Sequence, residues 1–232
     1  MTKSAWDLYK EKNNVSVKKQ VERPPVTVNF TKKELAPGIY VYQNVFNNPT
    51  ALIEDIEDVF GSSWQNGTIF SNNENDPSKI DSNFRDCSVV VIGTPNSTSS
   101  EKNDDLHHLI TESMLVCYRD YLSSFGMSHN DLTSDNWQVL RYGSGQHFDS
   151  HADDGFRFPR TVSITAYLND NYTGGEIEYK NFKIKYKPEA GDIIVFPANY
   201  VYNHKVIPVE VGTRYAIVNW FRWKTMKVDM LA

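Results

Sequence analysis

Cysteine is scarce in this chain, with Cys87 and Cys117 the only two among 232 residues. Two thiols cannot build the disulfide framework of a small secreted domain, and their spacing fits neither a CxxC redox motif nor a zinc knuckle. A reducing, cytoplasmic setting is the expectation. Long apolar runs are also missing. The opening MTKSAWDLYKEKNN has no apolar segment of the secretory type, and nothing approaches the roughly 20 apolar residues that span a bilayer. No membrane partner is expected. Positive charge is not in excess either: 24 Lys and Arg against 29 Asp and Glu leave a net charge of -5 and a pI near 5.7. A chain without a basic footprint is a poor candidate for nucleic acid. Internal repeats and low-complexity tracts are absent, which excludes solenoid and fibrous architectures.

What is present fits one domain with an appended arm. Residues 1–33 are polar and lysine-rich around Pro24-Pro25 and read as an N-terminal arm, with residues 34–232 forming a single domain. GIYVYQNVF (38–46) alternates like a strand, and Asn48-Pro49 then opens a helical pattern through Leu52, Ile56 and Phe60. The Asn- and Ser-rich stretch from Gly61 to Asp86 reads as a long loop with one short strand near Thr68 to Phe70. After the β-branched run Cys87 to Ile92, a second helix is expected from about Asp105 to Phe125, so residues 50–125 supply helical support. From Trp137 the pattern becomes successive short strands separated by Gly and Pro turns: WQVLRY, RTVSITAYLN, EIEY, FKIKYK, DIIVFPA and RYAIVNWFRW. That spacing argues for an antiparallel sandwich or barrel over residues 137–223.

The chemistry concentrates in LRYGSGQHFDSHADD, where His151 and Asp153 stand two apart. On an extended segment residues i and i+2 share a face, so imidazole and carboxylate can converge on one cation. Downstream of Asp153 the chain holds one further histidine, His204. Two histidines and one carboxylate make the facial triad that holds non-haem Fe(II) with open positions, although the same ligands suit other metals, zinc included. His-x-Asp alone is a weak signal, since this composition yields roughly 0.4 matches by chance. A second such pair, His129 and Asp131, lies in the polar segment SHNDLTSDN and reads as solvated turn chemistry. The adjacent His107 and His108 point about a hundred degrees apart on a helix and make poor joint ligands.

Five blocks occur in a fixed order: RYGSGQHFDSHAD, RTVSITAYLND, GGEIEY, YKPEAGDIIVFP and NHKVIPVEVGTRYAIVNWF. In content and order they resemble the 2-oxoglutarate and Fe(II)-dependent dioxygenase superfamily, most closely its prolyl 4-hydroxylase branch. The resemblance implies a mainly β fold with flanking helices around a double-stranded β-helix, a jelly-roll or cupin-like core. It implies His151, Asp153 and His204 as iron ligands, and Arg214 and Tyr142 as residues binding 2-oxoglutarate. Fe(II), 2-oxoglutarate and O2 are the implied cofactor and co-substrates, with ascorbate as an accessory. The implied reaction hydroxylates an unactivated C–H bond, releasing succinate and CO2, and the implied partner is a proline-containing peptide or protein.

Two positions depart from the branch. Phe148 stands where prolyl hydroxylases often carry tyrosine, and Arg214 replaces the lysine of the collagen type. An oxidative nucleic-acid demethylase would carry a second arginine six residues after Arg214, where this chain has Trp220. A hydroxylase of free amino acids or other side chains, and a non-catalytic cupin-like metal-binding module, are the remaining alternatives. The stretch Ile69 to Phe84 is read as a loop that closes over the substrate.

Overall fold

The computed structural model describes residues 26–73, 76–93, 99–156 and 158–224. Most of the segment read as an N-terminal arm, residues 1–25, lies outside the described residues. The strands in chain order begin with β1 (Thr31–Ala36), β2 (Ile39–Gln43), β3 (Gln65–Asn66), β4 (Ile69–Asn73), β5 (Asp76–Lys79) and β6 (Arg85–Asp86). They continue with β7 (Ser88–Ile92), β8 (Leu132–Ser134), β9 (Trp137–Tyr142), β10 (His147–His151), β11 (Val162–Tyr167) and β12 (Thr173–Gly174). The last are β13 (Ile177–Tyr179), β14 (Ile184–Tyr186), β15 (Ile193–Pro197), β16 (His204–Val206), β17 (Val209–Val211) and β18 (Arg214–Trp223). Among the described residues two α-helices stand between strands, α1 (Pro49–Phe60) and α2 (Glu101–Ser123).

Nine strands form the major sheet, in the order β1-β2-β15-β11-β18-β9-β7-β3 with β8 paired to β18. Facing it is a five-stranded sheet, β14-β13-β16-β10-β6. This is the jelly-roll that the resemblance implies, and it agrees with the antiparallel sandwich or barrel expected from the turn spacing. The sheet is not confined to the strands expected over residues 137–223, because β2 pairs with β15 and β7 with β9. Early strands complete a sheet whose centre comes from the last hundred residues, a long-range pairing that no local pattern announces.

Alternation along the central strands sorts residues between two cores. Val139, Ile164, Ile217 and Phe221 face outward and bury against the helices. Tyr142, Tyr167, Phe196 and Ala216 face inward, between the sheets. Helix α1 starts where Asn48 accepts a hydrogen bond from the Ala51 amide at 3.2 Å, with Pro49 in the first turn. Ser100 caps α2 in the same way through the Asn103 amide, and Leu106, Ile110, Met114, Tyr118 and Leu122 make its buried stripe. Side-chain contacts fix both helices. Glu57 of α1 accepts from Arg141 and Tyr215 on the outer face of the sheet, and the Tyr118 ring of α2 stacks on Phe221 at 3.6 Å. No described helix is long and apolar enough to cross a membrane.

The stretch between the helices differs from the reading as a long loop with one short strand. It carries β3 and a hairpin of β4 and β5, with Ile69 opposite Lys79 and Phe70 opposite Ser78. Strands with so little apolar alternation are held by their ladder rather than by a buried face, so periodicity misses them. Strand β1 likewise starts at Thr31, inside the segment read as the arm. The jelly-roll rests on these contributions from both ends of the chain.

Candidate functional site

Strands β10 and β16 are neighbours in the smaller sheet, and their ladder sets His151 directly opposite His204. Asp153 follows two residues after β10 ends, where the chain is tied down by the Asp154 amide donating to the Ala198 carbonyl at 2.9 Å. The three side chains converge. One ligand atom from each lies within 4.8 Å of the others, with His151 Nε2 3.7 Å from Asp153 Oδ1 and His204 Nε2 3.8 Å from Asp153 Oδ2. The arrangement can hold a metal ion.

Neighbouring groups fix which atoms face inward. His151 Nδ1 lies 2.7 Å from the Asp149 carbonyl and His204 Nδ1 3.1 Å from the Tyr202 carbonyl. A carbonyl only accepts, so both Nδ1 atoms carry the proton and both Nε2 lone pairs are free for a cation. Ser163 Oγ donates to Asp153 Oδ2 at 2.6 Å and holds the carboxylate in place. The ring of Phe148 stacks on His151 at 3.6 Å, and Phe196 meets His204 edge-on at 4.9 Å. Burial, with His204 alongside, lowers the His151 pKa to about 3, so the imidazole is neutral and available as a ligand. Burial acts to raise the Asp153 pKa, but His204, His151 and Ser163 outweigh it and hold the carboxyl below its usual range. A neutral His151 imidazole beside an ionised Asp153 carboxylate suits a divalent cation.

Arg214 and Tyr142 are register partners in β18 and β9, on the inward face. Arg214 is only 2% exposed, yet its Nε and Nη1 have no hydrogen-bond partner in the protein. Its guanidinium carbon lies 5.0 Å from the ring centroids of both Tyr142 and Tyr167. The phenol oxygens of Tyr142, Tyr167 and Tyr172 are equally without partners. A buried cation with orphaned N–H groups and phenols around it fits a carboxylate far better than an apolar ligand. Gly175 makes room for this cluster: at φ +66, a Cβ there would stand 2.8 Å from the Tyr172 ring and 3.1 Å from Arg214 Cδ.

Both groups open into one interior. Ser163, at the level of Asp153, and Tyr167, at the level of Arg214, lie on the same face of β11, roughly 13 Å apart at about 3.3 Å per residue. The structure leaves the other polar candidates outside this space. His129 and Asp131 sit in an exposed 3-10 turn capped by Ser128. His107 and His108 are on α2. A third His-x-Asp pair, His147 and Asp149, occurs in β10 and adds no ligand atom to the cluster.

Sequence reasoning missed Tyr167, Ser163 and Arg160. Tyr167 and Ser163 could have been found from the alternation of RTVSITAYLN, which puts both on the face of β11 opposite Ile164. Arg160 had no such signal. It packs over the Trp220 ring at 3.6 Å, reaches the Asp153 carbonyl at 3.4 Å and lies 3.6 Å from Asp135.

Residues 137–222 match the profile of the 2OG-Fe(II) oxygenase superfamily. A PKHD-type hydroxylase of Rippkaea orientalis is 40% identical over 89 residues, covering 34% of this chain and 39% of the relative. Another from Prochlorococcus marinus is 37% identical over 82 residues, covering 33% and 36%. The chain thus spans less than half the length of these curated relatives. Among solved structures, a prolyl hydroxylase from Trichoplax adhaerens in complex with a hypoxia inducible factor peptide fragment aligns with a TM-score of 0.61 at 19% identity, covering 95% of this chain and 94% of that one. The viral collagen prolyl hydroxylase from Paramecium Bursaria Chlorella virus-1, in its 2OG complex, aligns at 0.57 and 19%, covering 80% and 96%. At these identities the structural likeness is one of fold.

Proposed function

We propose that this chain, which belongs through residues 137–222 to the 2OG-Fe(II) oxygenase superfamily, is a dioxygenase that hydroxylates a prolyl residue of a peptide or protein and releases succinate and CO2. One observation carries the reading. A two-histidine, one-carboxylate cluster shares a barrel with a buried arginine whose Nε and Nη1 have no hydrogen-bond partner in the protein.

In this reading His151, Asp153 and His204 hold Fe(II) with positions left open. Iron bound there, with O2 and 2-oxoglutarate, supplies the oxidising power for attack on an unactivated C–H bond. The protein's part is binding, orientation and exclusion of water. Arg214 grips the distal carboxylate of 2-oxoglutarate through its guanidinium fork, and the phenols of Tyr142 and Tyr167 complete the contact. Ser163 and the two backbone carbonyls behind the imidazoles keep the ligands from turning. Arg160, stacked on Trp220 beside Asp153, walls the mouth where substrate enters.

The prolyl assignment draws on the motif order and on neighbours described as prolyl hydroxylases, one of them with a peptide. In this reading the hairpin of β4 and β5 serves as a lid. Its base is tied to the site because β6 pairs with β10, and the Asp149 amide donates to the Phe84 carbonyl at 2.7 Å. Phe148 favours a second reading. With no hydroxyl, it offers an apolar stacking wall beside His151 where a tyrosine would offer a donor, which suits a substrate other than a prolyl peptide.

The test is incubation of purified protein with Fe(II), ascorbate and 2-oxoglutarate, with and without a panel of proline peptides, following succinate and peptide mass. Peptide-dependent succinate with a mass gain of one oxygen is expected. Oxygen gain on a non-proline substrate alone sinks the prolyl assignment, and absence of any succinate sinks the dioxygenase assignment.

A further inference from the structure

Between the two sheets, the buried phenol of Tyr179 stands apart from the carboxylate site at Arg214. A carboxylate offers about four acceptor positions. Arg214 Nε and Nη1, with the phenols of Tyr142, Tyr167 and Tyr172 around them, are enough to fill those positions. Tyr179 remains. It is fully buried and its hydroxyl has no partner in the protein.

Its position points to the other end of the chamber. In the ladder between β13 and β16 the register partner of Tyr179 is His204. The phenol ring lies 5.7 Å from the His204 ring and packs edge-on against Phe196 at 5.2 Å. Phe196 is in turn opposite Ser163, the donor to Asp153. Tyr179 therefore stands at the level of the metal ligands. A phenylalanine would fill the same apolar space without stranding a hydroxyl, so the oxygen calls for an acceptor.

We infer that Tyr179 Oη donates a hydrogen bond to the metal-side oxygens of the 2-oxo acid co-substrate, which makes Tyr179 a second co-substrate-binding residue beside Arg214. The inference rests on the co-substrate reading proposed above. It assigns the two ends of one small dicarboxylate to different parts of the barrel: Arg214 and its phenols take the distal carboxylate, and Tyr179 takes the end at the cluster.

Calorimetric titration of N-oxalylglycine, an inert analogue of 2-oxoglutarate, into the Mn(II)-loaded full chain tests it without turnover. Tyr179→Phe removes one oxygen and leaves the ring packing. The expected result is binding weakened about tenfold, equivalent to about 1.4 kcal/mol, with Mn(II) affinity unchanged and the metal-free melting temperature unchanged or raised. Arg214→Leu, run alongside, separates the two readings. If Arg214→Leu loses affinity while Tyr179→Phe stays within twofold of wild type, the inference is overturned and the co-substrate reading stands. Wild-type affinity in both variants overturns the co-substrate reading and the inference with it. A lower melting temperature for metal-free Tyr179→Phe, with unchanged affinity, also overturns the inference by showing a structural phenol.

Discussion

Replacing Arg214 by leucine isolates the contribution of the buried guanidinium. Arg214 is 2% exposed, and two of its nitrogens lack partners in the protein, so the side chain is prepared for a ligand at its own desolvation cost. A hydrogen bond to a charged group contributes about 1.5–3 kcal/mol, and each 1.4 kcal/mol is about tenfold in affinity. Losing one such bond would weaken 2-oxoglutarate binding roughly tenfold to a hundredfold. Losing the second N–H contact adds to that, while the phenols of Tyr142 and Tyr167 retain part of the site. A rise of at least tenfold in the dissociation constant is therefore expected. Calorimetry with Mn(II) in place of Fe(II) measures it directly. Arg214→Lys keeps the charge but loses the fork, and should fall between the wild type and leucine. In the metal-free, ligand-free protein, leucine removes an unpaired buried charge, so the melting temperature should hold or rise. An unchanged dissociation constant, or a collapse of metal-free stability, would refute the argument by showing that the arginine is a structural element.

Alanine at His151, Asp153 or His204 should abolish metal binding in an equilibrium titration, whereas His129→Ala and Asp131→Ala should leave it intact; equal loss from both sets would refute the assignment. Ser163→Ala removes the 2.6 Å bond to Asp153 and should weaken metal affinity roughly 10–100-fold, the range typical of groups that orient ligands; unchanged affinity would mean that Asp153 is held by its backbone alone. The pH dependence of metal-free stability follows from His151, whose pKa burial and His204 lower from 6.5 to about 3. Between those values the unfolded chain binds a proton that the folded chain does not, so this stability is complete above about pH 6.5 and is lost as pH falls toward 3. Each pH unit is worth at most about 1.4 kcal/mol. Thermal melts should drop across that window and His151→Gln should flatten the drop; an identical slope in the variant would count against it.

Much of the chemistry could be read along the chain because its parts are close in sequence or fall in blocks. His151 and Asp153 share one extended segment, and His204 is the remaining histidine downstream. The strands from Trp137 to Trp223 announce themselves through alternation, because one face of each meets helices and the other meets the barrel interior. Tertiary structure alone decided how these parts meet. Nothing local sets His151 opposite His204; the β10 to β16 register does. Nothing local tells that β2 and β7 complete the major sheet, or that a polar hairpin stands between Ile69 and Lys79, since ladder hydrogen bonds hold those strands without a hydrophobic period. Tyr167, Tyr172 and Tyr179 read in sequence as ordinary core aromatics. Their significance lies in buried hydroxyls with no partner around one arginine and one imidazole, and satisfaction of a hydrogen bond is a property of the assembled interior, which residue identity cannot encode.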